Sequence, residues 1–292
     1  MVDLLLVIQQ IFNGILFGGQ LALVAVGLTL IWGVTRILNF AHGAMFMMGG
    51  YAGFLTFELT GNALLALPGA VLVVFVLGMV TEFGVVRRLR DRDNAEFAAI
   101  IGTFGLAVVL ENIIRGSPLG STRRTLPTIV PGVWEVGPFF FVAEQVYLFI
   151  VALAALGVLF AVIKYTRLGM AMRAVAQDQN TAKLMGVRSD RIYAITFGIS
   201  AALAGLAGAL LAPIFNIYPS VGWQPFLLAF IVVIIGGLGS VRGTLIAALL
   251  IGVLRSVSLT FTSSQQTSML LFLAMIVILI VKPTGIGGVI DG

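Results

Sequence analysis

The sequence predicts an all-α, polytopic membrane protein with eight or nine membrane segments, some of them discontinuous helices. Three observations support this prediction. Of the 292 residues, 60% are hydrophobic and only 10% are charged, whereas about a quarter of the residues of a soluble domain are charged. Several apolar stretches reach the roughly 20 residues that a helix needs to cross a hydrocarbon layer of about 30 Å. Glycine clusters interrupt the apolar pattern twice, and we treat residues 1–292 as one transmembrane domain.

The apolar stretches give the order of the segments. Full-length stretches lie at residues 11–34, 63–86, 97–114, 145–163 and 192–215, and shorter ones lie at 43–57 and 268–281. The remaining stretch, 225–260, would form a helix of about 54 Å, which is too long for one crossing. It is expected to break at 236–240, because glycine lowers helix propensity and the charge of Arg242 cannot rest in lipid. The count is nine segments, or eight if 225–260 is one kinked helix.

The basic residues predict the orientation, because cytoplasmic loops collect Lys and Arg. If the N-terminus lies outside, most of the 17 basic residues fall inside, at Arg36, in 87–92, in 164–191, at Arg242 and at Lys282. The exceptions on the outer side are Arg115, Arg123, Arg124 and Arg255. The prediction is therefore a multi-pass protein of the cell (inner) membrane, surrounded by lipid, with its C-terminus in the cytoplasm.

Two connections are longer than turns. Residues 116–144 contain four prolines, which predicts an ordered external loop rather than a helix. Residues 164–191 lie on the cytoplasmic side. There Asp178 is a candidate N-cap and Gly186 a candidate C′ residue, so the sequence predicts a short helix between them.

Composition excludes most enzyme classes. The chain has no cysteine and a single histidine, His42, which leaves no residues for a typical zinc site or thiol nucleophile. No glycine precedes a lysine in a phosphate-binding loop, and no serine lies in a GxSxG motif. The positive charge fits membrane orientation better than binding to nucleic acid. We therefore expect neither an enzyme nor a metal or cofactor site in this chain.

The segment 39–51 is the first glycine-interrupted stretch. Asn39 and His42 lie beside Gly43, Gly49 and Gly50, a pattern expected where a discontinuous helix exposes backbone groups to a cavity. Lining of a substrate path is one interpretation. The other is that Asn39 caps the next helix and His42 is an ordinary interfacial residue.

The second stretch, 236–240, has similar chemistry and lies in the other half of the chain. Paired interruptions of this kind indicate a substrate path, which would include Gly236, Gly237, Gly239 and Ser240. Close helix packing, which glycine also permits, is the alternative. The stretch 192–215 carries small residues at a spacing of four, and packing is the favoured interpretation of Ser200, Ala204, Gly208 and Ala212.

The acidic residues near the ends of apolar stretches have nearby arginines. Glu111 precedes Arg115 by four residues, which predicts an ion pair on one helix face. Glu82 has the same interpretation with the arginines that follow it. Neither acid indicates a proton-driven pump.

Four ordered motifs resemble one family along residues 10–282. They are 39–43, 102–106 with Glu111 and Asn112, 172–178 with 186–187, and 236–240. Together they are similar to the shorter membrane subunit of branched-chain amino acid ABC importers. The resemblance implies the ABC importer permease fold and a path formed with a second, homologous permease. It also implies two cytoplasmic ATPases, which bind ATP and Mg, and an external substrate-binding protein. In that family the cytoplasmic helix after the fifth span docks on the ATPase, which implies a coupling role for Asp178, Asn180, Lys183, Leu184 and Gly186.

Two other functions stay open at this point. A related urea or amide ABC importer would share these motifs. An ion-coupled secondary transporter or channel is the more distant alternative, and the lack of intramembrane acid and cation pairs disfavours it.

Overall fold

The computed structural model describes residues 4–90 and 94–287. Its long helices are α1 (Leu4–Thr35), α2 (His42–Thr60), α3 (Ala63–Thr81), α5 (Ala95–Arg115), α6 (Ala143–Tyr165), α9 (Ser189–Leu211), α11 (Val241–Phe261) and α12 (Ser264–Val281). The shorter helices are α4 (Arg87–Arg90), α7 (Arg167–Gln177), α8 (Gln179–Leu184) and α10 (Trp223–Gly236). A π-helical stretch, Glu82–Val86, joins α3 to α4.

Seven helices of the described residues are long and apolar enough to cross a membrane, with α3 continuing through α4 in one of them. The sequence predicts eight or nine segments, and the difference lies in α2 and α10. The 14 residues of α10 extend only about 21 Å, which is short of the hydrocarbon thickness. The 19 residues of α2 are long enough, but His42, Glu58 and the glycines lower the apolar character of this helix.

Helices α1 and α9 form the centre of the bundle. In each, 89% of the most apolar 18-residue stretch is buried, against 11% in α12. Glycines allow this burial because they let backbones approach closely. Gly14 and Gly18 of α1 lie against Gly252 of α11, and Gly49 of α2 lies against Gly205 of α9.

Both breaks lie between predicted apolar stretches, but only the second falls in a glycine cluster, because Gly43, Gly49 and Gly50 lie inside the continuous helix α2. The chain leaves α1 at Thr35 and enters α2 at His42, and α10 is separated from α11 by residues 237–240. Both breaks pack against α1, but at different depths. His42 lies beside Gly27, and Gly239 lies beside Gly33, which is about 9 Å further along the helix axis.

The loop 116–144 contains a hairpin that the all-α prediction lacks. Strands β1 (Val133–Val136) and β2 (Phe139–Val142) pair antiparallel. The hairpin is tied to the start of α1, where the Gln9 side chain exchanges hydrogen bonds with the backbone of Phe140 at 2.7 and 3.0 Å. The Glu144 carboxylate accepts the backbone N–H groups of Ile129 and Val130. These bonds hold the loop against the end of the bundle.

Candidate functional site

The first break is held by side chains at the level of the middle of α1. His42 Nε2 donates to the carbonyl oxygen of Val24 at 2.9 Å, and Phe40 N donates to Thr103 Oγ1 of α5 at 3.0 Å. The Asn39 side chain accepts the Ala41 N–H at 3.0 Å. Ala41 is the N-cap residue of α2 and has no side-chain cap, so Asn39 shapes the turn before the helix instead of capping it. Asn39 and His42 are fully buried.

Helices α2 and α10 begin side by side. A Cβ atom on Gly222, the N-cap residue of α10, would lie 1.8 Å from the carbonyl oxygen of Gly43. From this contact α2 extends towards the 116–144 loop and α10 towards the C-terminal end of α1. Backbone N–H groups and the positive ends of two helix dipoles therefore converge near Val24.

A polar pair lies beside this junction. The indole N–H of Trp223 donates to Glu111 of α5 at 2.9 Å, and Glu111 forms the predicted ion pair with Arg115. The shared carboxylate links α5 to the first residue of α10.

The second break depends on backbone conformation. Gly237 and Gly239 have φ angles of 93° and 85°, a region that L residues with a side chain rarely adopt. Ser240 then caps α11 by accepting the Gly243 N–H at 3.2 Å. The segment that follows α12 closes the break, because Gly287 N donates to the carbonyl oxygen of Gly236 at 2.9 Å.

A cavity of about 290 Å³ lies between α1, α2, α10, α11 and the 212–222 connection. Its apolar wall includes Phe17, Leu21, Val24, Phe46 and Leu228, and its polar lining includes Arg123, Asn216, Gln224 and Arg255. Its volume is near the lower end of the roughly 300–1,000 Å³ typical of ligand pockets. The cavity therefore suits a single small molecule with both apolar and polar groups.

The predicted path residues lie behind or away from this cavity. None of Asn39, His42, Gly43, Gly49, Gly50, Gly236, Gly237, Gly239 and Ser240 lines it. The first break supports its wall, because His42 binds the carbonyl of Val24 and Phe46 follows one turn after His42. Gly49 and Gly50 contact α9 or the Ile217 side chain. The second break lies at the far end of α1, so a role for Gly236–Ser240 in the path stays a prediction.

The small residues of α9 lie in its contacts with α1, α2 and the 116–144 loop. Ser200 donates to the carbonyl oxygen of Gly27 at 2.6 Å, and Ala204 is fully buried. A Cβ atom on Gly208 would lie 1.9 Å from the carbonyl oxygen of Phe46. Just beyond the end of α9, Ala212 accepts the Leu126 N–H and the Thr125 hydroxyl. These close approaches leave no room for larger side chains.

The 164–191 segment contains the short capped helix that the sequence predicts. The Asp178 carboxylate accepts the N–H of Asn180 at 2.8 Å and both the N–H and the hydroxyl of Thr181. These hydrogen bonds, first those from Thr181, lower the pKa of Asp178. Helix α8 ends beside Gly186, whose φ is 85°.

The exposed surface of α8 is apolar at the C-terminal end of the helix. The side chains of Leu184 and Met185 are 88% and 81% exposed. Lys183 and Asn180 are also exposed. Adjacent apolar side chains that face water typically mark a contact surface.

Arg255 is a cavity residue that the sequence analysis does not include among the candidate site residues. The charge count assigns it to the outer side, but it lies inside α11, half-buried, with its guanidinium 4.3 Å from the centre of the Phe17 ring. The sequence could have indicated Arg255, because it is an arginine within the apolar run 241–261. An ionisable residue inside a membrane helix usually has a functional role. Phe17, Leu21, Gln224 and Leu228 gave no such signal.

A bundle of membrane-spanning helices, with broken helices meeting at its centre beside a cavity, is typical of a membrane transport protein. The family described as the branched-chain amino acid transport system permease component matches residues 10–280. The chain belongs to this family.

Individual relatives agree. The chain is 33% identical to the high-affinity branched-chain amino acid transport system permease protein LivH of Escherichia coli, over 96% of this chain and 95% of that protein. It is 30% identical to permease protein BraD of Pseudomonas aeruginosa with the same coverage. It is also 27% identical to permease protein LivM of Salmonella typhimurium, over 90% of this chain and 67% of that protein. No solved structure matches the chain.

Proposed function

We propose that the chain is a permease subunit of an ATP-driven ABC importer that carries branched-chain amino acids across the cell membrane. The observation that carries the proposal is the similarity along nearly the full length to permeases named for branched-chain amino acid transport. The cavity supports it, because Leu21, Val24 and Leu228 present an apolar wall to an aliphatic side chain.

The complex that we propose has several other subunits. The chain pairs with a second, homologous permease, and its similarity to both LivH and LivM supports such a pair. Two cytoplasmic ATPases bind ATP and Mg and supply the energy. An external binding protein selects the substrate and delivers it to the side that carries the 116–144 loop.

Helix α8 is the proposed contact with an ATPase. Exposed Leu184 and Met185 offer apolar surface, while Asp178 and Gly186 fix the two ends of the segment. Asn180 and Lys183 add polar groups to the same short helix. Closure of the ATPases would pull on this segment, and α9, which follows at Ser189, would carry the movement into the bundle centre through its close contacts.

The breaks are proposed to shape the translocation path rather than to bind substrate tightly. Asn39, His42 and Gly43 position Val24 and Phe46 at the cavity wall. Gly49 and Gly50 hold α2 against its neighbours. Residues 236–240 allow α10 to end near the cytoplasmic end of α1, where movement of the break would open or close the route.

The N-terminus is proposed to lie outside and the C-terminus inside. Arg36 and Lys282 then lie at the cytoplasmic end with α4, α7 and α8, as the distribution of basic residues requires. The arginine partners of two acids favour an ATP-driven mechanism over ion coupling, because Glu82 binds Arg87 at 3.0 Å and Glu111 binds Arg115. Glu144 binds two backbone N–H groups through Oε2 and leaves its buried Oε1 without a partner.

The decisive experiment has two stages. The tagged chain is purified from its native membrane, and the proteins that accompany it are identified by mass. The complex is then reconstituted in vesicles, and uptake of radiolabelled leucine, isoleucine and valine is measured with and without ATP and the binding protein. We expect uptake that requires both. Uptake of urea or acetamide instead would assign the chain to the related amide importers. Uptake driven by an ion gradient without ATP would contradict the proposal.

A further inference from the structure

Arg255 joins two cavities. The main cavity of about 290 Å³ and a second of about 190 Å³ share Phe17, Ile214, Phe215 and Arg255 in their linings. The guanidinium lies over the Phe17 ring, and both residues line both cavities. A molecule that enters either cavity therefore lies close to the positive charge of Arg255.

No carboxylate of the described residues pairs with Arg255. The ion pairs among the described residues join Glu82, Asp190 and Glu111 to arginines other than Arg255. Contact with the Phe17 ring offsets only part of the cost of placing a guanidinium in a membrane helix. An intramembrane arginine beside a cavity therefore indicates a site for an anionic group.

Both cavities have mixed linings around Arg255. The main cavity has an apolar wall of Leu21, Val24, Phe46 and Leu228, and a second arginine, Arg123, lines this cavity alone. The smaller cavity offers the polar groups of Asn13, Gln20, Gln145 and Ser256 beside the apolar Leu259. A ligand with an aliphatic tail and a polar, charged head would find both kinds of surface next to Arg255.

We propose that Arg255 binds the carboxylate of the transported amino acid, an inference that rests on the proposed function. The aliphatic side chain then lies against Leu21 and Val24, and amide oxygens of the smaller cavity accept hydrogen bonds from the ammonium group. A guanidinium binds a carboxylate through two parallel hydrogen bonds, which a neutral amide cannot reproduce. Arg255 thus distinguishes amino acids from amides and urea inside the membrane, independently of the binding protein.

The test measures binding to the whole complex in nanodiscs without the binding protein. The melting temperature is followed as leucine or leucinamide is added, because leucinamide keeps the side chain and the amino group but lacks the carboxylate. In the wild type we expect leucine to bind roughly 10 to 100 times more tightly, as a charge-assisted hydrogen bond implies. Arg255→Gln should bring the two ligands to similar, weak affinities, and Arg255→Lys should keep an intermediate preference. The control Arg88→Gln removes an exposed charge of α4 and should keep the full preference.

Equal affinities for the two ligands in the wild type would overturn the inference, as would a wild type that leucine does not stabilise. A carboxylate of the partner permease paired with Arg255 would produce equal affinities. A full preference retained in Arg255→Gln would also overturn it. If Arg255→Gln does not assemble, the wild type and Arg255→Lys decide between the outcomes.

ATP-dependent leucine uptake without a carboxylate preference would leave the proposed function intact and refute this inference alone. An Arg255-dependent preference without such uptake would refute the proposed function and leave Arg255 as a carboxylate site of a protein with another role.

Discussion

The two helix breaks differ in sequence, since only the second contains glycine, and they are held by different interactions. In the first, side chains of His42 and Thr103 bind the backbone, and the positive φ is that of a residue with a side chain, Arg36, at 55°. In the second, Gly237 and Gly239 adopt positive φ angles, and backbone hydrogen bonds close the turn. Side chains therefore stabilise the first break, whereas glycine conformation and backbone hydrogen bonds stabilise the second.

The glycines beside the first break and within the second serve different needs. Gly43 and Gly222 are required for space, because a Cβ atom on either would collide with the backbone of the other helix. Gly239 has more room, with its nearest neighbour, the Cα of Gly33, 3.4 Å from an added Cβ. There the conformation, more than the packing, requires glycine. Substitutions should therefore affect assembly near the first break and movement at the second.

The largest effect is expected for Gly208→Leu, behind the first break. An added Cβ would overlap the carbonyl oxygen of Phe46, and overpacking of this kind costs about 1–3 kcal/mol or more. We expect loss of the assembled complex, measured by co-purification of the partner subunits, and Ala204→Leu should act in the same direction. The control is Gly157→Leu on α6, where an added Cβ has no neighbour within 4 Å. Normal assembly with an altered preference among substrates would contradict the packing role.

Gly239→Trp should abolish uptake while the complex stays abundant and its basal ATP hydrolysis continues. The substitution forces a positive φ of 85° on a bulky residue, at a cost of roughly 1–2 kcal/mol, and fills the space beside Gly33. Uptake and ATP hydrolysis are measured in reconstituted vesicles. Gly61→Trp is the control, because Gly61 also has a positive φ but no neighbour within 4 Å of an added Cβ. Normal uptake by Gly239→Trp at normal abundance would show that the second break is only a packing feature.

Local sequence patterns were sufficient to predict the positions of both breaks. The run 236–240 cannot continue a helix, and Asp178 and Gly186 mark the ends of α8 by side-chain and backbone chemistry that does not depend on distant residues. The ion pairs of Glu82 with Arg87 and of Glu111 with Arg115 are also local and were predicted.

Contacts between residues that are far apart in the sequence could not be predicted from local patterns. Phe17, Phe46, Leu228 and Arg255 lie on four helices far apart in sequence and meet only through packing. The hairpin Val133–Val142 is fixed partly by Gln9, which no local pattern indicates. The depth of Arg255 follows from where α11 begins, after the break, and a count of charges per loop does not include that information.

His42→Ala should have a smaller effect than Gly239→Trp. It removes one hydrogen bond to Val24, worth about 0.5–1.5 kcal/mol, and leaves a small void behind the cavity wall. We expect a severalfold loss of uptake and a modest fall in the melting temperature of the complex. His42→Gln, which keeps a donor, should lose less. A loss as complete as that of Gly239→Trp would show that His42 does more than hold α2 against α1.

The smallest functional effect is expected for Lys183→Cys, which tests the orientation on which the comparison of the two breaks depends. Lys183 is exposed on α8, and the chain has no cysteine of its own, so the label reports one position. If the second break lies at the cytoplasmic end, an impermeant thiol reagent should label Lys183→Cys in inside-out vesicles and not in intact cells. Ser121→Cys in the external loop should show the opposite pattern and take up substrate like the wild type, whereas loss of the Lys183 ammonium at the proposed ATPase contact should lower uptake slightly. Labelling of Lys183→Cys in intact cells would reverse the orientation. The cavity at Arg255 would then open towards the cytoplasm, and the second break would lie at the outer end of the path.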